Sequence, residues 1–252
     1  MHNPLGLGNK SSAFGERGLT KRLDALARRV DLRGDRLLDI GCGDGAYTVR
    51  LAGGFSSVDA IDVQDGPLAL FRERIDGTPA AGQITIGEMS AAKLDYPDDT
   101  FDMVTAIEVL EHVTELDQAL EEIHRVLKPG GRFAFTTPNR WFPFETHGFI
   151  YRGKRYPPAR APFLTWIVPL HRRLADARTF TATELRRRLA AAGLRTSSVD
   201  YIMPPFDRSG LGRRLRPVTD LAERSPLRWL GMALVVTAAK APDAPALPRQ
   251  EP

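Results

Sequence analysis

Apolar and polar positions along this chain follow two alternating periods. Leu19, Leu23, Leu26, Ala27 and Val30 recur at three- and four-residue spacing, which predicts an amphipathic helix over about 18–30. Arg33-Gly34-Asp35 reads as a turn. Short apolar runs at 36–40, 57–62, 83–87 and 101–107 predict strands, with helices near 45–53 and 67–75 between the first three. Leu116, Leu120, Ile123 and Leu127 mark one face of a helix over about 114–127. Lys128-Pro129-Gly130-Gly131 should stop it before a strand at 132–137. Beyond Pro138 the periodicity fails. Pro143, Pro157, Pro158, Pro162 and Pro169, with Trp141 and Trp166, make 139–178 an irregular insertion. A helix resumes at 181–192, capped by Thr181 or Thr183. Strands at 195–202 and 232–239 then flank a basic loop and helix. Such alternation implies an α/β fold, a mostly parallel sheet with helices on both faces. One domain over 1–240 is expected, with a disordered tail at 241–252.

Composition adds bounds. The 252 residues are 42% hydrophobic and 26% charged, as in ordinary globular proteins. Cys42 is the single cysteine, which excludes an internal disulfide and suits a reducing compartment. The first residues lack the apolar core of a secretory signal, and no apolar run approaches the ~20 residues of a membrane span. The expectation is a cytoplasmic protein. Its net charge of +4 hides an asymmetry: Arg152 to Arg228 holds 17 Arg/Lys against 6 Asp/Glu, or +11, leaving 18 against 25, or −7, elsewhere. That segment is either a set of solvated helix faces or the side turned to an anionic substrate, nucleic acid or membrane surface.

The candidate chemistry starts where the first strand ends. Gly41-Cys42-Gly43-Asp44-Gly45-Ala46 satisfies the glycine-loop pattern G-x-G-x-x-[GA], which suits a dinucleotide as well as other nucleoside cofactors. Asp62 ends the next strand, where either cofactor needs an acid for its ribose hydroxyls. Asp39 and Asp44 lean against a pyrophosphate, which two carboxylates would repel. S-adenosylmethionine carries an ammonium and a sulfonium instead, and both are favoured beside carboxylates.

Taken with the segments after it, LLDIGCGDG resembles the first motif of class I S-adenosylmethionine-dependent methyltransferases. VDAID is similar to their second motif and Gly87-Glu88-Met89 to their third. FDMVTAIEVLEHV and LKPGGRFAFTTPN resemble the fourth and fifth. The resemblance covers about 35–140 and 179–240, and is nearest to the small-molecule branch that includes ubiquinone-biosynthesis O-methyltransferases. It implies a Rossmann-like seven-stranded sheet ending in an antiparallel hairpin, with MALVVTAAK as the last strand and 139–178 as an acceptor lid. It also implies S-adenosyl-L-methionine bound by Asp39, Gly41, Cys42, Gly43, Asp62, Val63, Glu88, Met89 and Ile107. Glu88 departs from the Asp more usual in that branch.

The stretch Glu108-Val109-Leu110-Glu111-His112 follows the fourth strand. In a helix, offsets of three and four would put Glu108, Glu111 and His112 on one face. It reads either as a helix start or as part of a divalent-metal site, for Mg²⁺ by its carboxylates. The second reading resembles the small-RNA ribose methyltransferases, whose Glu-x-x-Glu-His and a later His bind a metal; His147 would be that later ligand. Without metal, His112 or His147 is a candidate general base.

The insertion mixes aromatics with arginines. It suits an apolar acceptor pocket and, through 152–228, peripheral contact with a membrane. Three functions follow: O-methylation of a small amphipathic phenolic, lipid-like, polyketide or sugar acceptor; ribose methylation of RNA; or a non-catalytic cofactor-binding regulatory subunit.

Overall fold

The computed structural model describes residues 15–205 and 210–242. Its centre is a seven-stranded sheet built from β1 (Gly34–Ile40), β2 (Phe55–Asp62), β3 (Ile84–Glu88), β4 (Phe101–Ile107), β5 (Leu127–Pro138), β8 (Leu194–Ile202) and β9 (Ala233–Lys240). The strand order is β3-β2-β1-β4-β5-β9-β8. The first five strands are parallel, and β9 runs antiparallel between β5 and β8. This is the Rossmann-like sheet with a terminal antiparallel hairpin that the sequence predicts. A hairpin of β6 (Phe149–Tyr151) and β7 (Lys154–Tyr156) stands apart from it.

Alternation along each strand sends neighbouring residues to opposite faces. Leu37 and Leu38 are both fully buried, yet Leu37 packs with α1 (Gly15–Ala27), α2 (Thr48–Ala52) and α3 (Asp65–Ile75). Leu38 packs with α4 (Leu116–Val126) and α6 (Ala182–Ala191). A parallel sheet buried on both faces needs such continuous apolar strands.

Three local readings change. Lys128-Pro129-Gly130-Gly131 does not separate helix from strand. β5 begins at Leu127, and these residues form an irregularity between the pairs Phe101↔Leu127 and Met103↔Arg132. Gly130, at φ 77°, supplies the turn. Helix α4 starts at Leu116, two residues later than the periodicity predicts. Thr181, not Thr183, caps α6: its hydroxyl accepts the Glu184 N–H at 3.2 Å.

The insertion is more regular than expected. Besides β6 and β7 it holds a 3₁₀ turn at Leu164–Trp166 and the short helix α5 (Val168–Leu174). A second basic helix, α7 (Gly210–Glu223), precedes β9. The expected tail falls from residue 243 onward outside the described residues. Among the described residues no helix is long and apolar enough to cross a membrane.

Candidate active site

The sheet order reverses direction between β1 and β4, and in open α/β sheets ligands bind at that switch point, beyond the carboxyl ends of the strands. The glycine loop leaves β1 there. Gly41, Gly43 and Gly45 all have left-handed backbones, with φ 68°, 54° and 75°. A side chain at Gly41 would put its Cβ 2.3 Å from Val109 Cγ2, and one at Gly45 would lie 2.1 Å from the Phe71 ring. These glycines therefore serve packing as well as ligand approach. The Gly41 and Cys42 N–H groups donate to the Ile61 carbonyl at 2.7 and 3.0 Å.

Asp62 sits at the tip of β2. Its carboxylate accepts the N–H of Gly43 at 3.0 Å and of Gln64 at 3.0 Å. Burial pushes its pKa up, against the pull of those N–H groups. Each oxygen has a second lone pair for a ribose hydroxyl. Glu88 pairs with Asp62 in register on β3, and the Met89 N–H donates to the Asp62 carbonyl at 3.0 Å. Glu88 and Val63 are exposed, Met89 half-buried, and Cys42 and Ile107 buried at the crevice floor. Burial pushes the Cys42 thiol far up, so it stays protonated.

Asp39 and Asp44 take different positions from those the charge argument gave them. Asp39 is buried and accepts hydroxyls from Thr48 at 2.6 Å and Thr105 at 2.7 Å. It ties β1 to α2 and β4 beneath the loop. Loss of water pushes its pKa up to about 6. Asp44 turns to the Arg74 guanidinium on α3, 3.0 Å away. Neither acid offers the loop a free negative charge, so the choice of cofactor rests on the fold and Asp62.

Residues 108–115 form turns, not the first turn of α4. Glu108 adopts φ 59°, costly for a residue with a side chain, and this halts helix propagation. Its N–H donates to the Thr136 carbonyl at 3.0 Å. Its carboxylate accepts the Thr136 hydroxyl at 2.8 Å and lies 3.4 Å from Arg22 Nε. Burial opposes its ionisation, but the charge of Arg22, then of His147, outweighs that and holds it below the usual carboxylate range. Glu108 thus serves Arg22 and β5, and shares no helix face with the other two.

Glu111, His112 and His147 do converge, with ligand atoms within 4.8 Å of one another. Glu111 is buried and accepts the Thr137 hydroxyl at 3.2 Å through Oε2. Its Oε1 stands 3.6 Å from His147 Nε2, and both atoms are buried without a hydrogen-bond partner among the described residues. Burial, then the charge of Glu108, pushes Glu111 well above the usual range. The His112 and His147 rings meet edge to face at 5.2 Å. His112 keeps solvent access as a residue, yet protein around its ring, with His147 next, pushes its pKa down to about 4. Burial likewise lowers His147.

Three contributors escaped the sequence reading. Glu145 accepts the His147 N–H at 2.8 Å and pairs with His171 Nε2 at 2.5 Å, both side chains buried in the insertion. This fixes the backbone that carries His147. Arg22 on α1 is the third, buried at 1% exposure. A charged residue on the apolar face of an amphipathic helix was the available signal, because it needs an internal partner.

Residues 38–135 match the family described as a methyltransferase domain. The chain is similar to the demethylmenaquinone methyltransferase of Symbiobacterium thermophilum, 34% identical over 152 residues and 59% of each chain. It is similar to the 27-O-demethylrifamycin SV methyltransferase of Amycolatopsis mediterranei, 35% identical over 131 residues, 51% of this chain and 48% of that one. The ubiquinone biosynthesis O-methyltransferase of Pseudomonas putida is 32% identical over 120 residues, 47% and 51% of the two chains. The chain thus spans about half to three fifths of the length of these relatives. Among solved structures, an S-adenosylmethionine dependent methyltransferase from Mesorhizobium loti matches 88% of this chain and 100% of its own, with TM-score 0.62 and 25% identity. The [4+2]-cyclase SpnF matches 88% and 82%, with TM-score 0.60 and 25% identity. Sheet, glycine loop and the match over residues 38–135 make this chain similar to class I S-adenosylmethionine-dependent methyltransferases. Within that class the similarity extends to the ubiquinone-type branch.

Proposed function

We propose that this protein transfers a methyl group from S-adenosylmethionine to a hydroxyl oxygen of a small amphipathic acceptor. The observation that carries it is the convergence of Glu111, His112 and the insertion's His147 at 4.8 Å spacing, beside the turn that packs on the glycine loop through Gly41 and Val109. The bound cofactor supplies an electrophilic methyl group on a sulfonium. Asp62 would accept the ribose hydroxyls, and the loop at 41–43 would hold the cofactor. The insertion covers the acceptor and excludes water. Similar proteins include a demethylmenaquinone and a 27-O-demethylrifamycin SV methyltransferase, which supports a small-molecule acceptor. A cyclase on the same fold shows why the fold alone does not establish the reaction.

A histidine base of pKa about 4 is neutral at pH 7 and free to take a proton. It is also weak, because a phenol of pKa ~10 holds its proton far more tightly than an imidazole whose pKa is lowered. A divalent cation on Glu111, His112 and His147 relieves this, because a bound cation lowers the pKa of an acceptor hydroxyl. The facing, unpartnered Glu111 Oε1 and His147 Nε2 support that second reading.

We also propose contact with a membrane surface. Trp141, Trp166 and Trp229 are 44%, 43% and 44% exposed, and Trp141 lies 6.4 and 6.2 Å from the other two rings. Phe163 adds a ring 4.7 Å from Trp166. Arg160, Arg172, Arg173 and Arg224 flank these residues in sequence, the mixture found at lipid headgroups.

The test is incubation with methyl-labelled cofactor and fractionated host lipids, small metabolites and RNA. Label should enter the small-molecule or lipid fraction. Label in RNA alone would replace this reading with ribose methylation. No transfer despite tight cofactor binding would make the protein a regulatory subunit.

A further inference from the structure

Beside the lid lies a second, separate concavity. It is a cleft of about 420 Å³ lined by Arg140, Arg172, Arg187 and Arg188, with Thr181 and Thr183 at the start of α6. Glu184 is the one acid on its wall. It is shared between Arg140 at 2.8 Å and Arg188 at 3.5 Å, and Arg188 also reaches Asp117 at 2.5 Å. Even so, Arg140 Nε is buried without a hydrogen-bond partner among the described residues, and Arg188 Nε has only that long contact with Glu184. Arg172 and Arg187 are exposed, and neither joins an ion pair among the described residues. Arg178 stands close by. Burial and the charges of Arg188 and Arg172 press its pKa down, with Glu184 and Asp117 only partly offsetting them. The four lining arginines against Glu184 and Asp117 leave about two positive charges in one place.

Solvated surface arginines spread apart or alternate with acids. Here they crowd around a concavity at the N-terminal end of a ten-residue helix, an arrangement that costs repulsion unless an anion enters it. The cleft is also coupled to the candidate active site. The Arg178 N–H donates to the Glu111 carbonyl at 3.1 Å, and the charge of Arg178 is felt by His112.

We propose that this arginine cleft holds a phosphate group carried by the acceptor, anchoring it while its hydroxyl reaches the cofactor side. The guanidinium forks match phosphate oxygens in pairs, and the threonine hydroxyls serve the remaining oxygen. A dianion suits the excess charge better than a monocarboxylate does. This inference rests on the acceptor reading above for its purpose, but not for its binding chemistry.

The test is calorimetry on the full chain with phenyl phosphate, benzoate, inorganic phosphate and phosphatidylglycerol vesicles, and with S-adenosylhomocysteine on the same samples. Phenyl phosphate should bind more tightly than benzoate. The double variant Arg172→Gln/Arg187→Gln should weaken phenyl phosphate at least tenfold and leave S-adenosylhomocysteine affinity intact, which also shows that it is folded. Arg28→Gln, on an exposed residue just beyond α1, should change neither. Equal phosphate binding by wild type and double variant, or none by wild type, overturns the site. Inorganic phosphate binding as tightly as phenyl phosphate overturns its assignment to the acceptor. Binding only to phosphatidylglycerol vesicles overturns it in favour of a membrane-facing charge patch. Failure of S-adenosylhomocysteine to bind would sink the methyl-transfer reading while leaving the phosphate result standing.

Discussion

Asp62 and Asp39 lie in neighbouring strands of the same crevice, and their surroundings give them opposite tasks. Asp62 keeps acceptor capacity after satisfying Gly43 and Gln64. Its replacement by Ala removes charge-assisted bonds worth about 1.5–3 kcal/mol each. Calorimetry should show S-adenosylhomocysteine affinity reduced tenfold or more; near-wild-type binding by a folded variant would undo the cofactor assignment. Asp39 spends both oxygens on threonines in a dry site, and its folded pKa of about 6 exceeds the ordinary carboxylate value. An acid with a raised pKa binds its proton more tightly when folded. Its penalty is therefore present above about pH 6 and is relieved as pH falls toward 4. Relative to Asp39→Asn, wild-type stability should rise by up to about 3 kcal/mol between pH 7 and 4 in denaturant titrations. A difference that stays flat with pH would refute the burial argument. The position of Asp62 at the tip of β2 was legible in the sequence because strand length and loop spacing fix a strand's tip. The roles of Asp39 and Asp44 were not, because Thr105 and Arg74 reach them across elements whose packing no spacing reveals.

At the scale of elements, the long strands and amphipathic helices announced themselves through their period, and the insertion did not. Strands of three residues and a seven-residue helix beginning Val168-Pro169 are shorter than any window in which a period can be read. The β6–β7 turn does have a local cause: Arg152 and Gly153 both take positive φ, 50° and 74°, as a tight hairpin turn requires. What holds the insertion down is polar, the Glu145–His171 pair. Glu145→Gln keeps the shape but loses the charge, and should cost about 1–3 kcal/mol locally. Amide exchange across 143–170 should then quicken roughly ten- to hundredfold without global unfolding. In the wild type, exchange there should slow on adding S-adenosylhomocysteine with an acceptor. Unaltered exchange in the variant would mean that the aromatic contacts, not this pair, secure the lid.

At the scale of the whole molecule, the proposed function divides labour across the sheet's switch point, with β1 and β2 assigned to the cofactor and the turn after β4 to the acceptor. The cation reading of Glu111, His112 and His147 then carries a separable consequence. Exhaustive chelation, verified by elemental analysis, should reduce turnover at least tenfold and leave S-adenosylhomocysteine affinity unchanged. Glu111→Ala and His112→Ala should reduce turnover alike. Undiminished turnover without metal would leave a histidine base as the working mechanism.

The ion pair of Arg22 with Glu108 crosses between the first helix and the turn that leads into the acceptor side. Both side chains lie out of water, so neither can be stranded cheaply: removing one partner of a buried pair costs roughly 3–5 kcal/mol. A chain shortened to begin at Arg33 would keep every recognised methyltransferase motif and still leave Glu108 an uncompensated charge at φ 59°. Such a truncation should melt well below the full chain and lose cofactor affinity together with stability, as thermal melts and calorimetry would show. The first helix is therefore a structural counter-ion to the turn after β4, and borders drawn at the family motifs alone would cut through a buried salt bridge.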